Sequence, residues 1–224
     1  MNVDSYSSPI LLSVQVAALA LLIAGPAGIG LAWLQARVEY RLRALVDALI
    51  FLPLVLPPSV VGYFLVVAFG RHGAIGQVLD ELLGVRLVFT PAAAVIAAAV
   101  VALPIVAKTA QPAIEAVPGD WEETAATLGL SPFSVFARVT LPTAWRGILA
   151  ALVLGFARAL GEFGATLMFA GNTPGRTQTM SLAIWSSWQA GEDSRAFFFV
   201  SLMTVFSMFV VLLAARFAPP RRGL

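Results

Sequence analysis

The stretch Val117–Pro142 reads VPGDWEETAATLGLSPFSVFARVTLP and stands between two long apolar runs. Asp120, with Glu123 three residues later, predicts a capped helix start whose first turn carries acids that suit the helix dipole. Trp121, Ala125 and Leu128 fall at i, i+4 and i+7 and make one apolar face. Gly129 supplies the stop. Ser131 and Pro132 then read as N-cap and first position of a second short helix. Val135, Phe136 and Val139 share a face of it, and Pro142 is expected to limit it. The stretch is therefore two short helices joined at a bend that glycine permits. Such a unit serves either as an amphipathic loop resting on a membrane surface or as a knob that fits a groove on a partner.

The flanking sequence makes the chain a membrane protein. Four windows hold no Asp, Glu, Lys or Arg: 10–36, 48–70, 87–107 and 196–215. A fifth, 147–171, is interrupted by Arg158 and Glu162 alone. Each is long enough to cross a bilayer, for which about 20 apolar residues suffice, and backbone at that depth must be helical. Composition agrees: 59% of the 224 residues are hydrophobic and 12% charged, against about 25% charged in soluble domains. The expected fold is an all-α membrane protein of about five spans, one permease domain over 1–224, with the loop 117–142 between the third and fourth. The first nine residues carry no Lys or Arg, and the apolar run after them is too long for a signal peptide, so no cleaved leader is expected.

Lys and Arg set the expected orientation. Segment 37–46, the segment 108–146 and the C-terminal tail together hold nine: Arg37, Arg41, Arg43, Lys108, Arg138, Arg146, Arg216, Arg221 and Arg222. The opposite loops hold four: Arg71, Arg86, Arg176 and Arg195. The N-terminus is thus expected outside and the C-terminus in the cytoplasm. In the external stretch 172–195, Asn172–Gly175 is a turn signal. Met180–Trp188 is too short to span and reads as an interfacial or re-entrant helix, a sixth span being the alternative. Cysteine is absent and His72 is the single histidine, so no metal site, catalytic centre or cofactor is expected, and His72 reads as a solvated loop residue.

Glu123-Thr124-Ala125, then Gly129, then Leu141-Pro142, resembles the EAA loop of type I ABC importer permeases, with Thr124 where the first alanine usually stands. Leu52–Tyr63, Phe156–Thr166 and Asn172–Thr179 are similar to segments of molybdate permeases, and the resemblance runs from about residue 10 to 217. Sulfate permeases share parts of these motifs, especially Gly161–Gly164. The resemblance implies a permease subunit of the bacterial cytoplasmic membrane. It also implies a homodimer that works with two cytoplasmic ABC ATPase subunits and a periplasmic or extracellular oxyanion-binding protein, without nucleic acid. It assigns ATPase coupling to Glu122, Glu123, Thr124, Ala125, Gly129, Leu141 and Pro142.

The residues themselves suggest a path. Arg158 and Glu162 sit at i, i+4, able to pair on one helix face. A charge at the membrane centre costs at least about 2.5–3.5 kcal/mol, so both should face protein or water. They form either a packing pair or a pathway in which Arg158 attracts an oxyanion and Glu162 keeps it from being trapped. Pro53, Pro57 and Pro58 interrupt the second span, as a kink or as broken backbone lining a route. The candidate path is Pro57, Pro58, Ser59, Arg158, Glu162 and Thr166. Lys108 follows Ala107 rather than glycine, so no phosphate-binding loop is present and a partner must supply ATP hydrolysis. A stand-alone secondary transporter is the competing class, but it has no need of the 117–142 unit.

Overall fold

The computed structural model describes residues 4–217, and these are helices and connections without a strand. Arg221 and Arg222, counted above, lie outside the described residues. α1 (Asp4–Arg37), α5 (Pro91–Glu115), α8 (Leu141–Leu160) and α11 (Asp193–Phe217) form the body.

α5 is its centre, and small side chains put it there. Ala93, Ala94, Ala97, Ala98 and Ala102 are all buried, as are Ala17, Ala20 and Ala24 of α1 across from them. Without a hydrophobic drive between helices in lipid, close backbone approach is what holds such a pair. On the other side of α5, a Cβ on Gly147 would lie 2.2 Å from that of Ala113, and one on Gly155 2.5 Å from Val106 Cγ2. α8 therefore docks on α5 through its glycines.

The spans depart from expectation at their ends and middles. The first runs from Asp4, the third continues to Glu115 and the last covers Asp193–Phe217. Lys108 thus lies inside a helix, not in the connecting loop. The expected second span, 48–70, is two helices, α2 (Arg43–Val55) and α3 (Pro58–Phe69), bent by 110°. Leu56 and Pro57 are extended at the break, with ψ of 143° and 135°, because Pro58 disfavours helix at the residue before it.

The expected fourth span, 147–171, is also two pieces. α8 stops at Leu160, and α9 (Gly164–Ala170) resumes after a three-residue gap. At its other end Pro142 does not terminate anything. α7 (Pro132–Val135), one wide turn over Phe136–Thr140 and α8 run as a single helix from Pro132 to Leu160. In the wide turn Leu141 N–H donates to Phe136 C=O, five residues back. A π-turn of this kind shifts the carbonyls that the Pro142 ring would otherwise strike.

Two further helices flank the body. α4 (Ala74–Leu83) was missed in the connecting stretch 71–86; it ends on Gly84 at φ +63° and docks through Gly76. Its ten residues show no apolar run long enough to stand out, only an amphipathic period. α10 (Met180–Gln189) is the short helix expected near 180–188. At about 1.5 Å per residue it measures about 15 Å, half a bilayer core, so it is no sixth span.

Candidate functional site

The two helix breaks meet. A Cβ on Gly62 of α3 would lie 2.7 Å from Met168 Cβ of α9, and one on Gly164 would lie 2.8 Å from Pro58 Cβ and 3.3 Å from Ser59 N. Bare glycine on both helices lets α3 cross α9 at backbone contact. The crossing sets Pro58 and Ser59 against the first turn of α9.

Glu162 organises that turn. Its Oε1 accepts the Ala165 N–H at 2.9 Å, and its Oε2 lies 2.8 Å from Arg158 Nη2. One carboxylate thus satisfies an orphan donor at the start of α9 and neutralises the cation at the end of α8. Burial is unequal: the Glu162 side chain is 2% exposed and that of Arg158 28%. The guanidinium, a planar fork of five donors, therefore reaches a surface that the carboxylate does not. Pro57, Pro58, Ser59 and Gly161 are exposed as well. Thr166 is 1% exposed; it is sealed inside the chain and lines no open surface.

At the far end of α1 lies the second cluster. Arg37 Nη2 donates to the carbonyls of Ile114 and Val117 at 2.8 and 2.9 Å, closing the end of α5. Its Nε lies 2.7 Å from Glu122 Oε2, and Glu122 Oε1 accepts from the Thr140 hydroxyl inside the wide turn. Glu122 therefore ties α6 (Gly119–Thr127) to α1, α5 and α8 together. The expected cap at Asp120 is absent: α6 starts at Gly119 after Pro118, with no side-chain cap. Proline already removes one of the donors that a cap would serve.

The face expected of Trp121, Ala125 and Leu128 is split. Ala125 is buried, while Trp121 and Leu128 are exposed, Leu128 at 79%, and Phe133 of α7 is exposed as well, at 76%. Glu123, Thr124, Gly129 and Pro142 are exposed too, and Leu141 is half-buried. Gly129 has φ +86°, and Ser131 caps α7 by accepting from Ser134 N–H. The sequence missed Arg37 as a member of this network. It was counted as a positive charge near a span end, and nothing in the 117–142 pattern points 80 residues back.

A third group braces the opposite end. Asn172 Nδ2 donates to Ser186 Oγ at 2.7 Å, Gln178 Nε2 donates to Asn172 Oδ1 at 3.0 Å, and Met180 N–H donates to Ser13 Oγ at 2.7 Å. These bonds tie the 172–179 turn to α10 and α1.

A family model described as binding-protein-dependent transport system inner membrane component matches residues 14–223. The chain is 44% identical over 189 residues to the molybdenum transport system permease protein ModB of Escherichia coli (strain K12), covering 84% of this chain and 82% of that protein. It is 46% identical over 179 residues to the protein so described in Haemophilus influenzae, covering 80% and 78%. A solved structure, that of a bacterial ABC transporter involved in the import of the acidic polysaccharide alginate, superposes with a TM-score of 0.70 over 98% of this chain and 82% of its own. Its sequence identity is 18%, so the likeness is one of fold.

Proposed function

Because the chain belongs to the family of binding-protein-dependent transport system inner membrane components, we propose that it is the multi-pass permease subunit of an ATP-driven importer of molybdate. The observation that carries the substrate is the identity with two molybdenum permeases over four-fifths of the chain. A doubly charged oxyanion entering an inside-negative cell meets about 2.3 kcal/mol per charge per 100 mV, hence about 5 kcal/mol before any gradient. The chain carries no nucleotide-binding loop, so a pair of cytoplasmic ABC ATPases supplies the work and the permease catalyses no reaction of its own. A periplasmic or extracellular binding protein delivers the anion.

In this reading the end bearing α6 faces the cytoplasm, in line with the Lys and Arg count, and the N-terminus lies outside. Glu122, Glu123, Thr124, Ala125, Gly129, Leu141 and Pro142 receive the ATPase motion, with Trp121, Leu128 and Phe133 as the apolar knob. Pro57, Pro58, Ser59 and Arg158 face a path on the axis between two copies; Arg158 provides its positive potential, and the buried Glu162 behind it moderates that charge. Thr166 joins that path only when α3 parts from α9.

The test is reconstitution of the permease with its partner ATPase and binding protein in liposomes. Molybdate should stimulate ATP hydrolysis and accumulate inside. Stimulation by sulfate but not molybdate would overturn the substrate, and accumulation without the ATPase would return the chain to the secondary transporters.

A further inference from the structure

Lys108 is the single lysine of the chain and sits inside α5, seven residues before the end at Glu115. Its Nζ donates to Asp47 of α2 and to Gln111 Oε1 at 3.1 Å, and lies 4.8 Å from the centre of the Phe51 ring. Asp47 and Phe51 stand four residues apart on α2, so both address Lys108 from one face of that helix. Gln111 in turn donates to Glu115 Oε1 at 2.8 Å.

α2 has few other attachments. Ile50 is its one buried residue, and Gln35 Nε2 reaches the Arg43 carbonyl at 3.4 Å. Leu45, Leu49, Leu52, Leu54 and Val55 are exposed. The 110° bend at Leu56–Pro57 means that α3 does not continue its line or hold it in place.

We infer that Asp47 and Lys108 are positioning residues, a polar latch that holds α2 against α5 and thereby fixes the angle of the Leu56–Pro57 hinge. A paired charge in an apolar setting is seldom more stabilising than well-packed hydrophobic residues, and specifying one arrangement is its best-attested use. Asp47 is partly exposed and Lys108 has a long stem, so each can reach the membrane interface when parted. The latch is thus reversible where an apolar seam would not be.

Its location gives it a consequence. α2 starts six residues after Arg37, which holds Glu122 of α6, and it ends at the hinge that carries Pro58 onto Gly164. A tilt of α2 moves Ser59 relative to Arg158. That consequence for transport rests on the importer reading; the latch itself does not.

The experiment uses the full cysteine-free chain in lipid nanodiscs, spin-labelled through Leu45→Cys and Arg146→Cys. The unmodified pair should give one narrow distance distribution, and Asp47→Asn should broaden it at least twofold. The exchange Asp47→Lys with Lys108→Asp should restore the narrow distribution. In the reconstituted transporter, Asp47→Asn should lower molybdate uptake at least fivefold and the exchange should recover most of it. A distribution that Asp47→Asn leaves unchanged, or an exchange as broad as the single variant, would overturn the latch. Restoration by the exchange supports the latch even if the unmodified transporter carried no molybdate, a result that would count against the importer reading alone.

Discussion

Glu162 has two partners, and they separate under substitution. Glu162→Gln can still accept the Ala165 N–H but gives up the charge beside Arg158. It should insert and fold, and its uptake of molybdate should fall about tenfold because the guanidinium now holds the anion without a counter-charge. Glu162→Ala gives up the helix-start acceptor as well and leaves the buried Ala165 N–H unpaired, at a further cost of about 1–3 kcal/mol. Its yield from the membrane should drop well below that of the Gln variant, as measured by fluorescence size-exclusion. Equal uptake by the Gln variant and the unmodified chain would reduce the pair to packing. Gly62 is the other residue whose environment is decisive: Gly62→Leu forces a side chain where Met168 Cβ is already 2.7 Å from the first added carbon. Overpacking of that kind costs about 1–3 kcal/mol, and a lowered thermal unfolding midpoint checks it. The i, i+4 spacing of Arg158 and Glu162 could be read from sequence. The role of Gly62 could not, because its partner lies on α9, more than 100 residues on.

Elements were legible where composition decides them and illegible where proline does. The alanine-rich third span and the apolar first and last spans have no local alternative to helix. The prolines are ambiguous by nature. Pro57 and Pro58 turn the chain by 110°, whereas Pro142 is absorbed by one wide turn in an unbroken helix. The difference lies in what surrounds them: two adjacent prolines remove consecutive donors, while a single one is bypassed by an i+5 bond from Leu141. In the 117–142 stretch the bend at Gly129 and the cap at Ser131 were legible; Glu122 was named from the resemblance, but its partners Arg37 and Thr140 were not, because they lie on other elements. Gly129 at φ +86° yields an element-scale prediction. Gly129→Pro imposes a φ near −65° and should abolish uptake while leaving membrane insertion and resting ATP hydrolysis by the partner intact, read by uptake and phosphate release side by side. Normal transport by that variant would remove the unit from the coupling route.

At the scale of the whole molecule, the described residues place the candidate path on an outer face and not inside one copy. Three other long helices and one broken pair pack around α5, whose inward face is a run of buried alanine without a charged side chain. The polar breaks lie instead at the surface, where Pro57, Ser59, Gly161 and Arg158 are accessible. An anion route at a surface needs a second wall, and a two-fold copy of the same surface is the economical one. The predicted assembly is a homodimer with the Arg158 faces opposed across the axis, alternately open to either side so that the membrane potential never drives the anion back out. Single cysteines along Gly155–Gly164 test it in this cysteine-free chain. Ala157, Arg158 and Gly161 are accessible, whereas Ala159 and Leu160 are buried against the chain's own helices. Symmetric cross-links should therefore form at 157, 158 and 161 and fail at 159 and 160, and their yield should change at least threefold when ATP binds the partner subunits. Equal yields at all five positions, or yields indifferent to nucleotide, would place the axis elsewhere and leave the Arg158–Glu162 pair a packing device within one chain.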